Sequence, residues 1–556
     1  MKTGLRFFLA MILMLLVIFV TNWLFPPIQP EPPPPQTEPA EAVRDDAAPE
    51  PDLTEPQREE GGLLGIGEES RERLVTVETP LYTITFSNHG AAARSIRLTG
   101  HQSFARDGAV ELVPDGARNV LAGTWQVGTQ QLDLTRIAYE VSPADGIRLP
   151  EGAGPRTLTF RYQHPTQPFT SEIRYTFTGD SYLVTVEGEL PARERAALFV
   201  DLGVGLAMNE LKEGSERREM AFSGNHVGEG IRKRALSRIG EPETLGGPLR
   251  WAAVKSKYFV EVILPGDGTG ESDFLSGVWA EPVTDPNRAA IRVGMPMEAD
   301  GSYAYRAYLG PIDPELLVAV GDDLEEVNPI GWAFFRPIVR PFVGIIHWTV
   351  NTLHDQFRLG YAWVLIVIGI LVRVLLWPLN QRAMRSQMKM QAVAPLAQEI
   401  REKYGKDPQK MQQETLKLYK EHQVNPLGGC LPLLIPWPVL IALFFVFQNT
   451  IQLRGVSFLW LPDLSAPDPY YILPVFLGAS MFLLQWISMR AMAASNPQMK
   501  MMMYILPIFM TFIFLQLASG LNVYYAAFNV ATIPQQMLIA RERKRAQAAP
   551  SSRPRR

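Results

Sequence analysis

Five apolar runs, residues 361–379, 431–450, 470–489, 501–518 and 521–540, crowd the last third of this 556-residue chain. Each is about 18 to 20 residues long, the length a helix rising about 1.5 Å per residue needs to cross a hydrocarbon layer of about 30 Å. Five buried core helices of that length in succession are foreign to a soluble globule, so the pattern predicts a membrane bundle spanning residues 359–540. A sixth run, residues 7–25, follows Lys2 and Arg6 and ends Thr21-Asn22-Trp23-Leu24-Phe25-Pro26-Pro27. A cleaved signal has a shorter apolar stretch and a small-residue cleavage site, so residues 1–25 are expected to be a retained anchor. Pro378, Pro432, Pro436, Pro438, Pro474, Pro507 and Pro534 fall inside or at the ends of the late runs, where packed neighbours satisfy the freed carbonyls. Only Ser519 and Gly520 separate the last two runs, which predicts a tight helical hairpin.

The charges give the bundle a direction. Overall, 53 Lys and Arg against 57 Asp and Glu yield a formal net charge of −4, an ordinary figure that hides a sharp split. Residues 26–335 hold 28 basic and 48 acidic side chains, whereas residues 1–6, 380–429, 489–503 and 541–556 together hold 20 basic and 6 acidic. Basic loops stay on the cytoplasmic side. With the N-terminus inside, six crossings put 380–429, 490–500 and the tail from Arg541 inside, and 26–335 and the loop 451–469 outside. Every loop agrees. The one cysteine, Cys430, excludes an intrachain disulfide framework, so the exported part must fold by core packing alone.

That exported part begins with a linker at 26–70, rich in Pro, Glu and Ala and too poor in large apolar residues to form a core. Beyond it the period shortens to two. Residues 81–86 alternate, and 173–178 and 182–187 alternate on either side of Gly179-Asp180, the signature of a β-hairpin. Further strands are expected at 251–264 and 303–309. Residues 71–330 are therefore expected to form an antiparallel β-sandwich outside the membrane. His89, His101, His164 and His226 are scattered without metal-ligand spacing, and neither a phosphate loop nor a nucleophile elbow is found. No enzyme activity, metal or cofactor is expected. Residues 331–358, apolar but broken by Arg336, Pro337, Arg340 and Pro341, suit an amphipathic helix lying on the outer interface.

Within the bundle one charge stands out. Arg373 lies about seven residues, roughly 10 Å, from the basic inner end of its run, and the membrane runs contain no Asp, Glu, Lys or His to pair with it. Burying an arginine costs about 2.5 to 3.5 kcal/mol on insertion scales, which leaves snorkelling to the inner interface or a water-filled cavity. In the last run Asn522, Tyr525, Asn529, Thr532 and Gln536 step by 3, 4, 3 and 4 and share one helical face. Such a stripe faces protein or water rather than lipid. Helix-to-helix hydrogen bonding accounts for the stripe alone, and a hydrated groove accounts better for stripe and arginine together.

Residues 383–402 and 409–422 are polar helix formers separated by Tyr404-Gly405-Lys406-Asp407-Pro408, which predicts a cytoplasmic helical hairpin within 380–429. Methionines crowd the inner side, among them Met384, Met388, Met411, Met492 and Met501 to Met503, and suit either varied apolar clients or ordinary packing. The tail 541–556, with Arg541, Arg543, Lys544 and Arg545, suits acidic lipid or ribosomal RNA phosphates, and its sequence does not choose between them.

Three stretches carry a resemblance: Val424-Asn-Pro-Leu-Gly-Gly-Cys-Leu-Pro-Leu-Leu-Ile435, Asp463-Leu-Ser-Ala-Pro-Asp-Pro-Tyr-Tyr-Ile-Leu-Pro474 and Ser519-Gly-Leu-Asn-Val-Tyr-Tyr525. They closely resemble the YidC/Oxa family of membrane protein insertases, in its Gram-negative form with a large periplasmic domain. Residues 251–260 resemble a strand of that domain. The likeness covers almost the whole chain. It implies an α+β membrane protein: an anchor helix, a periplasmic β-supersandwich and a five-helix transmembrane core with a hydrophilic groove open to cytoplasm and lipid. The family's groove arginine falls on Arg373 and its client-contacting tyrosine on Tyr525. Two positions depart, since a groove threonine is Gly369 here and a glutamine is Pro436.

The resemblance implies insertion of nascent membrane proteins into a bacterial inner membrane, alone or with the Sec translocon, without ATP or any cofactor. The implied partners are nascent membrane proteins, the translating ribosome, the Sec translocon and membrane lipid. A small-anion transporter using the intramembrane arginine is the alternative. It lacks the inverted repeat and the paired interrupted helices such carriers carry.

Overall fold

The computed structural model describes residues 71–117, 119–164, 169–193, 196–266, 274–328, 336–405, 407–423, 437–490 and 497–548. The expected anchor and linker, the Asn-Pro-Leu-Gly-Gly-Cys run, Pro436 and the end of the tail lie outside the described residues, as do the side chains of Arg543, Lys544, Arg545 and most of the methionines of the inner side.

Between residues 74 and 311 the described chain forms nineteen strands in two sheets, of five and fourteen strands. The smaller runs in the spatial order Ala109–Glu111, Ala93–Gln102, Tyr82–Ser87, Leu74–Glu78, Ile147–Arg148. Its pairs are antiparallel except the last, Leu74–Glu78 with Ile147–Arg148, which is parallel. In Tyr82–Ser87 the inward residues Tyr82, Ile84 and Phe86 are buried while Thr83 and Thr85 lie between them on the other face. The Phe86 ring meets Tyr175, Phe160 and Phe177 of the larger sheet at centroid distances of 4.8, 5.9 and 6.0 Å. Burial of these rings across the interface is what holds the two layers together.

The expected hairpin forms, with Thr170–Phe177 and Leu183–Glu189 paired so that Tyr175 faces Val186. The single strand expected at 251–264 is instead two, Glu243–Lys255 and Phe259–Pro265, turned back on each other where the Ser256 amide bonds the Phe259 carbonyl at 2.9 Å. The reason is burial on both faces. Residues 251–256 are all buried, so no alternation marks where the first strand stops.

Nine helices are described: α1 (Glu213–Glu219), α2 (Pro314–Val320), α3 (Arg336–Asp355), α4 (Tyr361–Lys403), α5 (Pro408–Glu421), α6 (Trp437–Asn449), α7 (Ile472–Arg490), α8 (Pro497–Phe514) and α9 (Ser519–Ala548). Helix α3 falls within the amphipathic stretch read from sequence and buries Val339, Val343, Ile346 and Val350, one face by their 4, 3, 4 spacing, in the same core as Ala442 and Leu443 of α6. The apolar run from Tyr361 and the first arm of the polar hairpin are one helix of 43 residues continuing through Pro378. Helix α5 starts at Asp407, whose carboxylate accepts from the Lys410 amide at 3.1 Å, and packs Leu418 and Tyr419 on Val393, Ala397 and Ile400 of α4. Among the described residues, Tyr361–Arg382 has the length and mean hydropathy, 2.4, to cross a membrane, and Ile472–Ile487 is a shorter apolar helix.

The break between the last two helices lies at residues 515–518, not at Ser519 and Gly520, which open α9. A loop supplies the cause. The Ser519 amide donates to the Ala466 carbonyl at 2.7 Å, the Gly520 amide to the Leu464 carbonyl at 2.8 Å, and the Ser519 hydroxyl to the Asp463 carbonyl at 2.9 Å. These bonds satisfy amides that a helix start leaves orphaned.

Candidate functional site

Arg373 is buried, at 3% exposure, on the face of α4 that packs against α9. Its Nη2 donates to Oε1 of Gln535, and the Gln535 amide nitrogen in turn donates to the Trp377 carbonyl at 3.1 Å, fixing the acceptor in place. With the Asn380 amide turned so that its oxygen faces the guanidinium, that oxygen accepts from Nη2 at 3.1 Å and from Nη1 at 2.5 Å. The Phe528 ring lies 5.4 Å from the guanidinium carbon, within the range of a cation–π contact. Nε has no partner. The charge is thus enclosed by two neutral amides and a ring, with no carboxylate among its described contacts.

Sequence reasoning left Gln535 out, choosing Gln536, which is half-buried. Two spacings carried the signal. Asn380 lies seven residues after Arg373, and Gln535 seven after Phe528, so each pair shares a helical face two turns apart.

The other stripe residues divide between partners. Asn529 donates to the Ser480 hydroxyl of α7 at 3.0 Å, Asn522 donates to the Phe514 carbonyl of α8 at 3.1 Å, and Thr532 donates to the Phe528 carbonyl of its own helix at 2.7 Å. All three are buried, and the bonds of Asn522 and Asn529 tie α9 to its neighbours. Tyr525 is half-buried, its ring 5.0 Å from Phe514 and 6.3 Å from Phe528. Arg541 is exposed on the continuation of α9.

At Gly369 a side chain is excluded. A Cβ there would sit 2.8 Å from the Tyr524 carbonyl oxygen and 3.2 Å from the Ala527 Cβ, so glycine lets α4 and α9 approach at the level just above Arg373. Beside this contact an apolar cleft of about 420 Å³ opens between the two helices, lined by Ile366, Ile370, Leu473, Val523, Ala527 and Val530.

The β-domain is fastened to the helices at one end. Gln452 donates to Asp313 at 3.0 Å, and Arg454, just after α6, inserts into the β-domain beside Glu210. The β-domain also buries ionisable groups of its own. Burial and the nearby Lys233 charge push the Lys255 ammonium down to about 7 against the opposing pull of Glu219, and burial raises the Glu261 carboxyl well above its ordinary range. Among the described residues no group of three or more His, Cys, Asp or Glu is placed to hold a metal ion.

A two-sheet domain fastened to a set of packed helices, one of them among the described residues long and apolar enough to cross a membrane, with a buried arginine enclosed by neutral groups, is what a protein working at a membrane presents. Residues 74–345 match the family profile for the YidC periplasmic domain, and residues 352–547 match that for the 60Kd inner membrane protein. The chain belongs to the YidC family of membrane protein insertases. It is 31% identical over 504 residues to the membrane protein insertase YidC of Chlorobium limicola, covering 86% of this chain and 84% of that one. It is 30% identical to that of Syntrophus aciditrophicus over 493 residues, covering 87% and 88%. A crystal structure of an active YidC insertase aligns with 85% of this chain and 93% of that one, at 17% identity and a TM-score of 0.34. Members of the family are inner membrane insertases and not enzymes.

Proposed function

We propose that the chain receives nascent membrane proteins from the cytoplasmic side and releases their helices into the inner membrane, with Arg373 as the attracting charge. In this reading residues 1–25 anchor the chain and 26–70 link the anchor to the domain. The β-domain, 71–330, is periplasmic, 331–358 lies on the outer interface, and the five helices of 359–540 cross the membrane. The hairpin 380–429 and the tail 541–556 are cytoplasmic.

The observation that carries the reading is the enclosure of Arg373 by Gln535, Asn380 and Phe528, with no carboxylate in contact among the described residues. Neutral partners hold the guanidinium in place without cancelling its charge, so it keeps a long-range attraction for an anionic client segment. The client's apolar helix moves along the cleft between α4 and α9, driven by transfer into lipid. The membrane potential adds about 2.3 kcal/mol per 100 mV for each acidic charge carried outward. Thr532 and Gln536 lie on the turn of α9 beside Gln535, and Asn522, Tyr525 and Asn529 extend the polar face toward its outer end. The tail, including Arg541, Arg543, Lys544 and Arg545, meets the translating ribosome or anionic lipid, and larger clients pass jointly through the Sec translocon.

The test is photocrosslinking from positions next to Arg373, such as Ile370 and Trp377, to ribosome-bound nascent chains of a single-span client. Adducts are expected that fade as the client matures. Adducts absent here but present from the outer loop 451–469 overturn the reading.

A further inference from the structure

A cavity of about 800 Å³ lies where the β-domain meets the ends of α6, α8 and α9, and nothing in the insertion mechanism uses it. Lys212, Arg218 and Lys257 of the β-domain line one side, while Phe444, Phe447 and Leu517 belong to the helical side. None of the three cations has an ion-pair partner within 4.0 Å among the described residues; Lys257 lies 4.6 Å over the Tyr258 ring, and Lys257 and Arg218 act on the Glu219 carboxylate from farther away.

Three acidic residues also line the cavity, one of them paired with a cation and two held by neutral donors. Glu210 is held by Arg454 at 2.7 Å. Asp463 accepts from the Gly455 and Ser465 amides and the Ser465 hydroxyl, at 3.0, 2.8 and 3.0 Å. Asp468 accepts from the Tyr470 and Leu473 amides at 3.0 and 2.7 Å and from the Trp460 indole at 3.4 Å. With Glu210 paired, the side facing the β-domain presents the charges of Lys212, Arg218 and Lys257, while the carboxylates of Asp463 and Asp468 stay on the loop side, held there by neutral donors, and an apolar floor lies between.

We infer that this cavity binds an anionic phospholipid, its phosphate among Lys212, Arg218 and Lys257 and the start of its acyl chains on Phe444, Phe447 and Leu517. The inference rests on the membrane placement proposed above, which sets these helix ends at the outer interface. The exposed rings of Tyr470 and Tyr471 beside the cavity suit that level. An amphiphile satisfies both surfaces at once. A polypeptide does not, because its amides would lie on a floor that offers them few hydrogen-bond partners.

The experiment uses the full chain in nanodiscs with photoactivatable phosphatidylglycerol or phosphatidylcholine, followed by mapping of the labelled peptides. Phosphatidylglycerol should label residues 210–218 or 515–521 and be retained preferentially over phosphatidylcholine on transfer to detergent. The triple variant Lys212→Gln, Arg218→Gln, Lys257→Gln should lose retention, with each cation contributing about fivefold. Ala466→Trp, which fills the cavity from its loop side, should lose it with all charges kept. Removing the exposed Arg136, Arg156 and Arg250 in the same way should change nothing. Equal retention by the triple variant, equal retention of the two lipids, or an acidic peptide displacing the label where phosphatidylglycerol does not, each overturns the inference. Labelling of a thiol introduced at Ala466, with Cys430→Ser, tests the placement separately. If it reacts only from inside, the membrane reading fails, whereas outside reaction without lipid retention sinks the lipid site alone.

Discussion

The Arg454 guanidinium meets the Glu210 carboxylate at 2.7 Å across 244 positions of sequence, and the two side chains are only 4% and 11% exposed. The same guanidinium donates to the Gln102 and Asn209 carbonyls at 2.6 and 3.3 Å, and its carbon lies 4.3 Å from the Phe104 ring and 5.4 Å from the Phe259 ring. A residue five positions past the end of α6 thus carries a contact between bundle and β-domain. Breaking a buried pair on one side costs about 3 to 5 kcal/mol, because the other charge stays buried and unmatched. Arg454→Ala should lower stability by that order in chemical unfolding in mild detergent. Arg454→Met combined with Glu210→Leu should recover most of it. A double variant as unstable as the single one would show that the carbonyl and ring contacts, and not the ion pair, hold the joint.

Lys255 supplies a pH test of the β-domain. Its ammonium, fully buried and bonded to Asn328 at 3.0 Å, is pushed from 10.5 down to about 7 by burial first and Lys233 second. Between about pH 7 and 10.5 the unfolded chain binds the proton and the folded one does not, so this group's contribution to stability rises with pH through that window, by at most about 1.4 kcal/mol per unit. Below about 7 both states are protonated and the full penalty remains. Lys255→Met should be more stable than the native chain at neutral pH, and the gap should close as pH rises to about 10. A gap constant over that range would mean Lys255 stays charged in the fold.

The layers of the molecule were legible where one face is wet. Tyr82–Ser87 and the hairpin around Gly179-Asp180 alternate because one side of each strand meets solvent, and both formed as the alternation predicted. The Glu243–Lys255 strand is buried on both faces at its end, so its turn at Ser256 left no periodic mark. The start of α9 was misplaced for a related reason. What decides it is the set of carbonyls from the loop at 463–466, and such long-range partners leave no trace in local spacing. At the candidate site Arg373 was found by its charge alone. Gln535 carries no charge, and its one mark in the sequence, the seven-residue spacing from Phe528, is outweighed by the regular polar stripe beside it.

Gly369 tests how closely α4 and α9 must approach. A Cβ there meets the Tyr524 carbonyl at 2.8 Å, and that backbone cannot yield as a side chain would. Gly369→Thr should destabilise the bundle by about 1 to 3 kcal/mol, the usual cost of overpacking. Gly344→Ala, where nothing lies within 4 Å, should stabilise α3 by about 0.5 to 1 kcal/mol. Thermal unfolding of the two variants in one detergent gives the comparison. A Gly369→Thr chain as stable as the native one would mean that the helices part freely.

Helix α9 continues to Ala548 and includes Arg541, Arg543, Lys544 and Arg545 in its last turns. If Arg541, Arg543, Lys544 and Arg545 contact ribosomal phosphates, binding should fall with salt by about 0.7 to 0.9 log units per phosphate neutralised, per log unit of salt. Ending the chain after Ala540 should then lower both ribosome affinity and that slope in sedimentation assays. A lower affinity for anionic vesicles with an unchanged ribosome slope would assign the tail to lipid.

Arg373 gives the sharpest test of the proposed mechanism, because its two kinds of role separate by client. If the guanidinium attracts carboxylates, Arg373→Lys should keep much of the activity, since attraction over a distance needs the charge more than the planar fork. If it organises α4 against α9, Arg373→Lys should fail, because an ammonium cannot reproduce the paired contacts to Gln535 and Asn380. Gln535→Leu probes the same point from the other side, leaving the charge but removing its anchor. Arg373→Ala should leave the bundle folded, since removing an expensive buried charge need not destabilise it, yet it should fail with clients whose translocated tails are acidic. The measurement is insertion of two matched single-span clients, one with an acidic and one with a neutral tail, in cells carrying only the native chain or one variant. Loss confined to the acidic client in Arg373→Ala, with Arg373→Lys near native, supports attraction. Equal loss of both clients in Arg373→Ala, reproduced by Gln535→Leu, would leave Arg373 as a structural tie between the two helices.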